Sequence, residues 1–425
     1  MKIIAQSAIA ITSLLASLVS AHSASDSAQN QLQLWPAVHE QTVNAHNHDD
    51  VQPWHGDVLN LGDERKTILS KNQNGDLVFE FENAWWSAFS INLKQPANLE
   101  KFRRGGLLLN LSVESFQEAG MDITWQCGPG CERKASATQQ MGAFLGAGTQ
   151  SLLVPSSCFI RDTDNAGYVK TPLRIGAGGT GKVAFSGIKW VDSLNEVKAT
   201  VLECPNYKTV ALEPAPLTEH WALSWWMPRH EVKVKLAQTT DPELVFIGDS
   251  ITEGWENAGA GVFEKYFGQY ETLTLGFGGD RTENVLWRLN HGEVDNIDPK
   301  LVVLMIGTNN TGHRQDSPAL VAEGIKAILD KLQQKLPNTK VLLHAIFPRS
   351  ATADNHLREI NSLINARIRN FADGERVFFK DINSEFLTED GVLTEKVMPD
   401  LLHPEEYGYS LWAEAIKDDI KRLVK

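Results

Sequence analysis

The sequence lacks the features that mark several classes of protein. Its 40 Lys and Arg residues are outnumbered by 53 Asp and Glu, and they form no basic run, so we expect no nucleic-acid partner. Beyond the N-terminal segment, no apolar stretch approaches the roughly 18 residues that a membrane-spanning helix needs. We therefore expect no membrane span in the mature chain, and the net charge of −13 indicates little beyond solubility.

Cysteine is scarce, and the four that occur are Cys127, Cys131, Cys158 and Cys204. No His or Cys cluster flanks them at the spacing of zinc ligands, so we expect disulfides and no metal. The stretch CGPGC places Cys127 and Cys131 across a Gly-Pro-Gly turn, which predicts a small disulfide loop. Cys158 and Cys204 are then the remaining pair, although spacing alone leaves the pairing open.

A complete nucleotide-binding motif is also missing. The stretch GAGGTGKV at 176–183 is close to a phosphate-binding loop, but Val183 stands where a Ser or Thr hydroxyl must reach Mg²⁺. A strand pattern follows it, where the phosphate-binding loop requires a helix. We interpret the stretch as a β-turn and expect no cofactor.

The N-terminus has the pattern of a targeting segment. Met1-Lys2 gives a short basic start, the apolar stretch IIAQSAIAITSLLASLV follows, and SAHSA offers small residues for cleavage after about Ala21 or Ser23. A membrane anchor is the alternative, but the apolar stretch is short and interrupted by polar residues. We predict a signal peptide over 1–23 and a periplasmic or secreted protein.

Residues 30–204 read as an all-β domain. Short apolar or alternating runs recur between clusters of Gly, Pro, Asn and Asp, and long amphipathic helices are hard to find. This pattern is typical of a β-sandwich. The proline-containing stretch 205–220 then reads as an extended linker.

Residues 221–425 follow a different pattern, in which apolar runs alternate with helical segments. The runs are LVFI, TLTLGF, LVVLMIG, VLLHAIF and VFFKDI. Continuous apolar strands that alternate with helices predict a parallel sheet covered on both faces. We expect the chemistry in the loops at the carboxyl ends of those strands.

Polar residues with catalytic potential occur at four places in this second half. Ser250 follows the strand LVFI, and Gly279 lies in a glycine turn after TLTLGF. Asn309 lies at the end of LVVLMIGTNN, and the late segment MPDLLHPEEYGY carries Asp400 and His403. Together they offer a nucleophile, an orienting carboxylate and a base, with a hole of three donors for an oxyanion: the Ser250 N–H, the Gly279 N–H and the Asn309 amide.

These stretches carry a family resemblance. GDSIT, GFGGDRT, GTNN and DLLH resemble, in order, the four conserved blocks of the SGNH (GDSL-type) hydrolase superfamily. The stretch from WWMPRH to IGTNN is similar in particular to the platelet-activating-factor acetylhydrolase catalytic subunits. The resemblance covers about residues 221–425, and it implies a flavodoxin-like fold and metal-independent ester hydrolysis. It assigns Ser250 as nucleophile, Gly279 and Asn309 as hole donors, and Asp400 and His403 as orienter and base.

The first half resembles a different family. MDITWQCGPGCERK, SLLVPSSCFI and GKVAFSGIKWV are similar to the galactose-binding-like, jelly-roll β-sandwich that is appended to some family 3 glycoside hydrolases. The resemblance implies a carbohydrate-associated domain. Trp85 and Trp86 are then candidates for stacking on sugar rings. The alternative is that at least one of them belongs to the core, because strand alternation buries every second residue.

The sequence therefore predicts an exported esterase that removes acetyl or other short acyl groups from an acylated carbohydrate. A lipid or general short-chain acyl esterase is the alternative within enzymes. A non-catalytic carbohydrate-binding protein is the alternative outside them. We expect Asp249, beside the nucleophile, to support the turn while Asp400 orients the base; the oligomeric state has no signature in the sequence.

Overall fold

The computed structural model describes residues 31–37, 39–48, 50–128, 131–161, 164–195 and 198–425, without the side chains of 127 and 128. The chain forms two compact units, which divide between Cys204 and Pro205. The predicted signal peptide, 1–23, lies outside the described residues. Within the described part of the chain, no helix combines the length and the apolar character needed to cross a lipid bilayer.

Unit 1, up to Cys204, is rich in β-structure. Its strands are β1 (Gln31–Trp35), β2 (Gln41–Asn47), β3 (Val51–Trp54), β4 (Leu59–Leu61), β5 (Lys66–Lys71), β6 (Leu77–Leu93), β7 (Gly106–Gly128), β8 (Cys131–Ser136), β9 (Gln150–Pro155), β10 (Leu173–Val191) and β11 (Thr200–Val201), and one short helix, α1 (Thr138–Phe144), accompanies them. The main order is β11-β9-β7-β10-β6-β2-β3. Strands β9 and β11 pair in parallel, and the other ladders are antiparallel.

Alternating residues build the core of unit 1. In the first part of β6, Phe79 and Phe81 are fully buried, whereas Glu80 and Glu82 are only partly buried; Phe89 and Ile91 are also fully buried. The rings of Phe79 and Phe89 meet edge to face, with centroids 5.4 Å apart. This is the expected half-buried pattern of a sandwich strand, and the predicted β-sandwich is confirmed.

The interpretation of GAGGTGKV as a turn is wrong, because residues 176–183 lie inside β10. They pair with β6 on one side and with β7 on the other, with register shifts at Gly178–Gly181. A side chain at Gly181 would overlap the buried ring of Phe81. The glycines therefore serve close packing between strands.

One disulfide joins Cys158 and Cys204, whose Cα atoms are 5.4 Å apart. It fixes the last residue of unit 1 to the short turn after β9. Cys131 is also disulfide-bonded. The side chain of Cys127, its expected partner, lies outside the described residues.

Unit 2 contains a five-stranded parallel sheet of order β13-β12-β14-β15-β16. The strands are β12 (Leu244–Gly248), β13 (Thr272–Gly276), β14 (Leu301–Met305), β15 (Lys340–His344) and β16 (Val377–Lys380). The helices are α2 (Trp226–Thr239), α3 (Ser250–Glu253), α4 (Ala260–Phe267), α5 (Thr282–Asn290), α6 (Pro318–Lys335), α7 (His356–Ile368) and α8 (Glu406–Leu423).

Both faces of this sheet are covered. Val245 and Ile247 of β12 pack into one apolar cluster, and Leu244 and Phe246 pack into another. This double burial explains why the strands read as unbroken apolar runs. The strand order reverses between β12 and β14, so their carboxyl ends flank the crevice where such sheets bind ligands. The predicted flavodoxin-like parallel sheet is confirmed.

Part of the predicted linker, 205–220, packs against unit 2. Val210 and Ala211 form an apolar cluster with Leu320 of α6. The Thr282 hydroxyl donates to the Ala211 carbonyl over 2.9 Å. Prolines in this stretch indicate an extended chain, and its apolar side chains decide where that chain lies.

Candidate active site

The carboxyl end of β12 presents Ser250. The strand ends at Gly248, and Ser250 opens the single helical turn α3. Asp249 caps that turn, because its Oδ1 accepts the Ile251 N–H over 3.0 Å. The cap holds the Ser250 side chain at the edge of the sheet, which supports the role expected of Asp249.

A base and a carboxylate continue from Ser250. The Ser250 Oγ lies 2.9 Å from His403 Nε2, and His403 Nδ1 lies 2.6 Å from Asp400 Oδ2. The histidine can therefore accept the hydroxyl proton while the carboxylate fixes its tautomer. The structure brings Ser250 to His403, which lies 153 residues later in the sequence and only three residues after Asp400.

The segment from Asp400 to His403 forms a compact turn. Asp400 Oδ1 accepts the N–H groups of Leu402 and His403, over 3.0 and 2.7 Å. Leu401 has a left-handed φ of 58°, and its carbonyl accepts the Ser350 N–H over 2.9 Å. Partial burial acts to raise the pKa of Asp400, but the hydrogen bonds from His403 outweigh it and hold that pKa below its usual value. The carboxylate is therefore ionised beside the imidazole.

Residues 277–281, the glycine turn, follow β13 and lie against α3. The Phe277 N–H donates to the Gly248 carbonyl over 3.2 Å, and the Gly278 N–H donates to Glu253 over 2.6 Å. Gly279 has a φ of +77°, a conformation that favours glycine. This geometry holds the backbone of Gly279 beside the turn that carries Ser250.

Asn309, after β14, is buried beside the glycine turn. Its Nδ2 donates to the Asp280 carbonyl over 3.0 Å, which uses one of its two N–H groups. The second N–H can serve an oxyanion. The neighbouring Asn310 has a different role, since its Oδ1 accepts the Thr282 N–H over 3.0 Å and so orients α5.

Arg288, which sequence reasoning missed, lies beneath these residues with no exposed side-chain surface. Its guanidinium donates to the Gly248 and Leu275 carbonyls, each over 3.3 Å, and to Asp280 Oδ2 over 2.8 Å. It also pairs with Glu293. The guanidinium thus ties the ends of β12 and β13 to the glycine turn. Only its position in the amphipathic segment ENVLWRL could have indicated an inward side chain.

Asp249 differs electrostatically from Asp400. Its carboxyl is fully buried, and within the described residues its Oδ2 has no hydrogen-bond partner. Burial raises the pKa of Asp249 to about 7. A carboxyl that is partly neutral and lacks a bond to the imidazole is a poor orienter for His403.

Trp85 and Trp86, the tryptophan pair, belong to unit 1. Trp85 is 69 % exposed and Trp86 is 37 % exposed, so the alternative that one of them is core does not hold. The register of β6 against β10 shifts between Ala84 and Ser87, which lets two consecutive side chains face solvent. Simple alternation could not have shown this shift.

The described residues contain no group of three or more His, Cys, Asp and Glu side chains that could hold a metal ion. Ser250, His403 and Asp400 form a hydrogen-bonded line of nucleophile, base and carboxylate, and the neutral donors of Gly279 and Asn309 lie in neighbouring loops. Such a set can form and cleave an acyl ester of serine with water as the only co-reactant.

Comparison with known proteins identifies both halves. Residues 246–411 match the sequence model of the GDSL-like lipase/acylhydrolase family. The chain is 34 % identical over 215 residues to the platelet-activating factor acetylhydrolase IB subunit alpha1 of Bos taurus, over 50 % of this chain and 90 % of that protein. The chain belongs to the GDSL-like lipase/acylhydrolase family.

Residues 60–190 match the model of the galactose-binding domain-like family. Among solved structures, a putative acylhydrolase from Bacteroides fragilis aligns with 23 % identity and a TM-score of 0.40, over 48 % of this chain and 99 % of that one. The extra C-terminal domain of an exo-1,3/1,4-beta-glucanase from a Pseudoalteromonas species aligns with 16 % identity and a TM-score of 0.35, over 42 % and 99 %. The two sequence models place a galactose-binding-like domain in unit 1 and an acylhydrolase domain in unit 2.

The assignment of Asn309 as a donor of the oxyanion hole predicts how the Asn309→Ala variant behaves. Loss of one oxyanion donor should lower kcat by about 10²–10³ with a small change in KM, because the bond strengthens only as the oxyanion forms. Steady-state kinetics on p-nitrophenyl acetate measure this. Asn370→Ala, at an exposed position in the same unit, is the matched control. If kcat falls by less than about tenfold, Asn309 is not a donor of the oxyanion hole.

The two aspartates beside the nucleophile should differ in effect. Asp400→Asn should lower kcat by about 10³–10⁴, because the amide favours the wrong imidazole tautomer and cannot stabilise the imidazolium. Asp249→Asn keeps the capping oxygen and should cost about tenfold or less. Parallel kinetics at pH 8 compare the two variants, and a larger loss for Asp249→Asn would reverse the assignment.

Proposed function

We propose that the protein is an exported serine esterase that removes acetyl or other short acyl groups from a carbohydrate. The observation that carries the proposal is the hydrogen-bonded line from Ser250 through His403 to Asp400, in a chain of an acylhydrolase family. Ser250 is the nucleophile, His403 the general base and Asp400 its orienter.

Acylation begins at the Ser250 hydroxyl. His403 Nε2 takes the hydroxyl proton while Oγ attacks the carbonyl carbon of the ester, and the carbonyl oxygen becomes an oxyanion. The N–H groups of Ser250, Gly279 and Asn309 stabilise that charge. The intermediate then expels the sugar oxygen, which takes the proton from His403 and leaves as a hydroxyl.

Deacylation repeats the cycle with water. His403 removes a proton from water, and the resulting hydroxide attacks the acyl carbon of the Ser250 ester. The second oxyanion collapses, Ser250 Oγ leaves and recovers the proton from His403, and the carboxylic acid is released. No metal or cofactor is needed for either half of the reaction.

Two features of unit 1 support a carbohydrate substrate. It belongs with galactose-binding-like domains, and it exposes the tryptophan pair. The guanidinium of Arg65 lies 4.0 Å from the centre of the Trp85 ring, and that of Arg174 lies 5.5 Å from the centre of the Trp86 ring. Such stacked guanidinium groups hold the rings in place for the apolar face of a sugar.

Export is proposed from the N-terminal sequence pattern and from the cysteines. The Cys158–Cys204 disulfide suits an oxidising compartment such as the periplasm or the cell exterior. Polymeric carbohydrate is encountered in the same compartments.

A lipid or general short-chain acyl esterase is the second candidate, because the Bos taurus relative is named for acetyl hydrolysis of platelet-activating factor. An apolar lid would favour lipid, yet in α4, which follows the nucleophile, Val262 and Phe267 point into the core of unit 2. A non-catalytic carbohydrate-binding protein is less well supported, because the hydrogen-bonded set around Ser250 is complete.

The role of Ser250 is tested with Ser250→Ala. Release of acetate from acetylated polysaccharides and from p-nitrophenyl acetate should fall to background, since the nucleophile is lost. A fluorophosphonate probe should label the wild type and Ser362→Ala, which changes an exposed serine, but not Ser250→Ala. Full activity in Ser250→Ala would refute the mechanism.

The role of the tryptophan pair is tested by affinity electrophoresis in gels that contain acetylated xylan or glucomannan. Trp85→Ala/Trp86→Ala should weaken retention by about tenfold or more, because two stacking surfaces are removed. Tyr168→Ala, at another exposed aromatic position of unit 1, is the control. Thermal unfolding checks that each variant is folded. Equal retention of the double variant and the wild type would assign the pair no role in binding.

A further inference from the structure

Residues 221–226, which lead into and begin α2, bring three tryptophans to the glycine turn. Trp226 is the buried anchor: its ring packs against Phe277 with centroids 5.8 Å apart, and its indole N–H donates to Asp280 Oδ1 over 2.7 Å. Trp221 and Trp225 occupy the same segment but are not buried in this way. The anchor fixes their position beside the turn.

Trp221 touches the proposed oxyanion donor. A Cβ atom on Gly279 would overlap the tip of the Trp221 indole, so ring and backbone are in direct contact. Trp225 lies behind it, with ring centroids 6.2 Å apart and an angle of 29° between the planes. Its indole N–H donates to the Trp221 carbonyl over 2.9 Å. Trp225 therefore supports the Trp221 ring from behind, and the pair forms an apolar platform next to the hole.

His313 and Arg281 also help to hold the Trp221 ring in position. The His313 ring meets Trp221 edge to face, with centroids 6.2 Å apart, and its Nδ1 lies 3.3 Å from Arg281 Nη1. Arg281 in turn pairs with Glu219, at the start of the tryptophan segment, over 2.6 Å. The Trp221 indole is therefore fixed before any ligand arrives.

Despite these contacts, Trp221 remains 40 % exposed. A large apolar ring that is rigidly held and partly exposed next to a set of catalytic polar groups is the usual construction of a ligand site. Trp226, five residues further along, shows that this segment can bury an indole completely. The exposure of Trp221 is thus a feature that a ligand can use.

We infer that Trp221, backed by Trp225, is a ring-binding subsite in which the pyranose that bears the acyl group stacks on the exposed indole. The inference rests on the proposed function, because it takes an acylated sugar as the substrate. The C–H groups on one face of a pyranose present an apolar surface that matches an indole face. Contact between Trp221 and Gly279 places the ester of a ring bound there beside the oxyanion hole.

The geometry favours a sugar over the quaternary ammonium of a choline lipid. Binding of such a cation uses several aromatic faces directed at one point. The planes of Trp221 and Trp225 are 29° apart and one ring lies behind the other, so the two faces are not directed at one point as the walls of a cage are.

The subsite predicts a change in substrate preference. Trp221→Ala should lower the ratio of kcat/KM on glucose pentaacetate to kcat/KM on ethyl acetate by about tenfold or more, because only the sugar ester loses a stacking surface. The loss should lie mainly in KM, since stacking contributes alike to the ground state and the transition state. Trp221→Phe should show a smaller fall. Acetate release in a pH-stat measures both substrates.

Leu223→Ala, an exposed apolar position in the same turn, is the matched control and should keep the wild-type ratio. An unchanged ratio in Trp221→Ala, whether both substrates decline together or neither does, would overturn the subsite and leave the esterase proposal intact. A wild-type enzyme that cleaves ethyl acetate but not glucose pentaacetate would overturn the carbohydrate substrate and the subsite together.

Discussion

The buried guanidinium of Arg288 is the interaction on which the candidate active site depends. It joins the carbonyl end of β12 at Gly248 to the carboxylate of Asp280 in the glycine turn. Ser250 lies two residues after the first of these groups, and Gly279 lies one residue before the second. The guanidinium therefore helps to set the relative position of nucleophile and oxyanion donor, together with the backbone bonds from Phe277 to Gly248 and from Gly278 to Glu253. Loss of one partner in such a buried pair costs about 3–5 kcal/mol, so the pair resists displacement.

Asp280 extends this constraint in two further directions. Its side chain accepts the Trp226 indole N–H as well as the Arg288 guanidinium, and its carbonyl accepts the Asn309 amide. Asp280 thus positions both Asn309, the third donor of the oxyanion hole, and Trp226, the anchor of the tryptophan segment. A hole that is fixed in this way needs little reorganisation as charge develops on the substrate, which is how preorganised donors lower a barrier.

The sequence was sufficient for the features that follow a repeating pattern or that belong to a recognisable family motif. Unbroken apolar runs predicted the strands of the parallel sheet, and polar residues at their ends predicted the set that now surrounds Ser250. Features that depend on tertiary register were not predictable. The shift in β6 that exposes both Trp85 and Trp86, and the contact between Trp221 and Gly279, arise between segments that are far apart in the sequence. Arg288 belongs to the same class, since an arginine on a helix is more often solvent-exposed.

The oxyanion-hole side of the candidate active site is buried, whereas the proton-transfer side is exposed to solvent. This difference bears on the size of the substrate. Asn309 and Asp280 are buried, whereas the side chains of His403 and Asp400 are 43 % and 54 % exposed. Water screens the proton-transfer pair unless the substrate covers it, because electrostatic interactions weaken in a high dielectric. A small ester leaves His403 and Asp400 exposed to water. A bulkier acyl ester that covers the pair excludes water from it, so the exposure of the pair favours a substrate larger than a minimal ester.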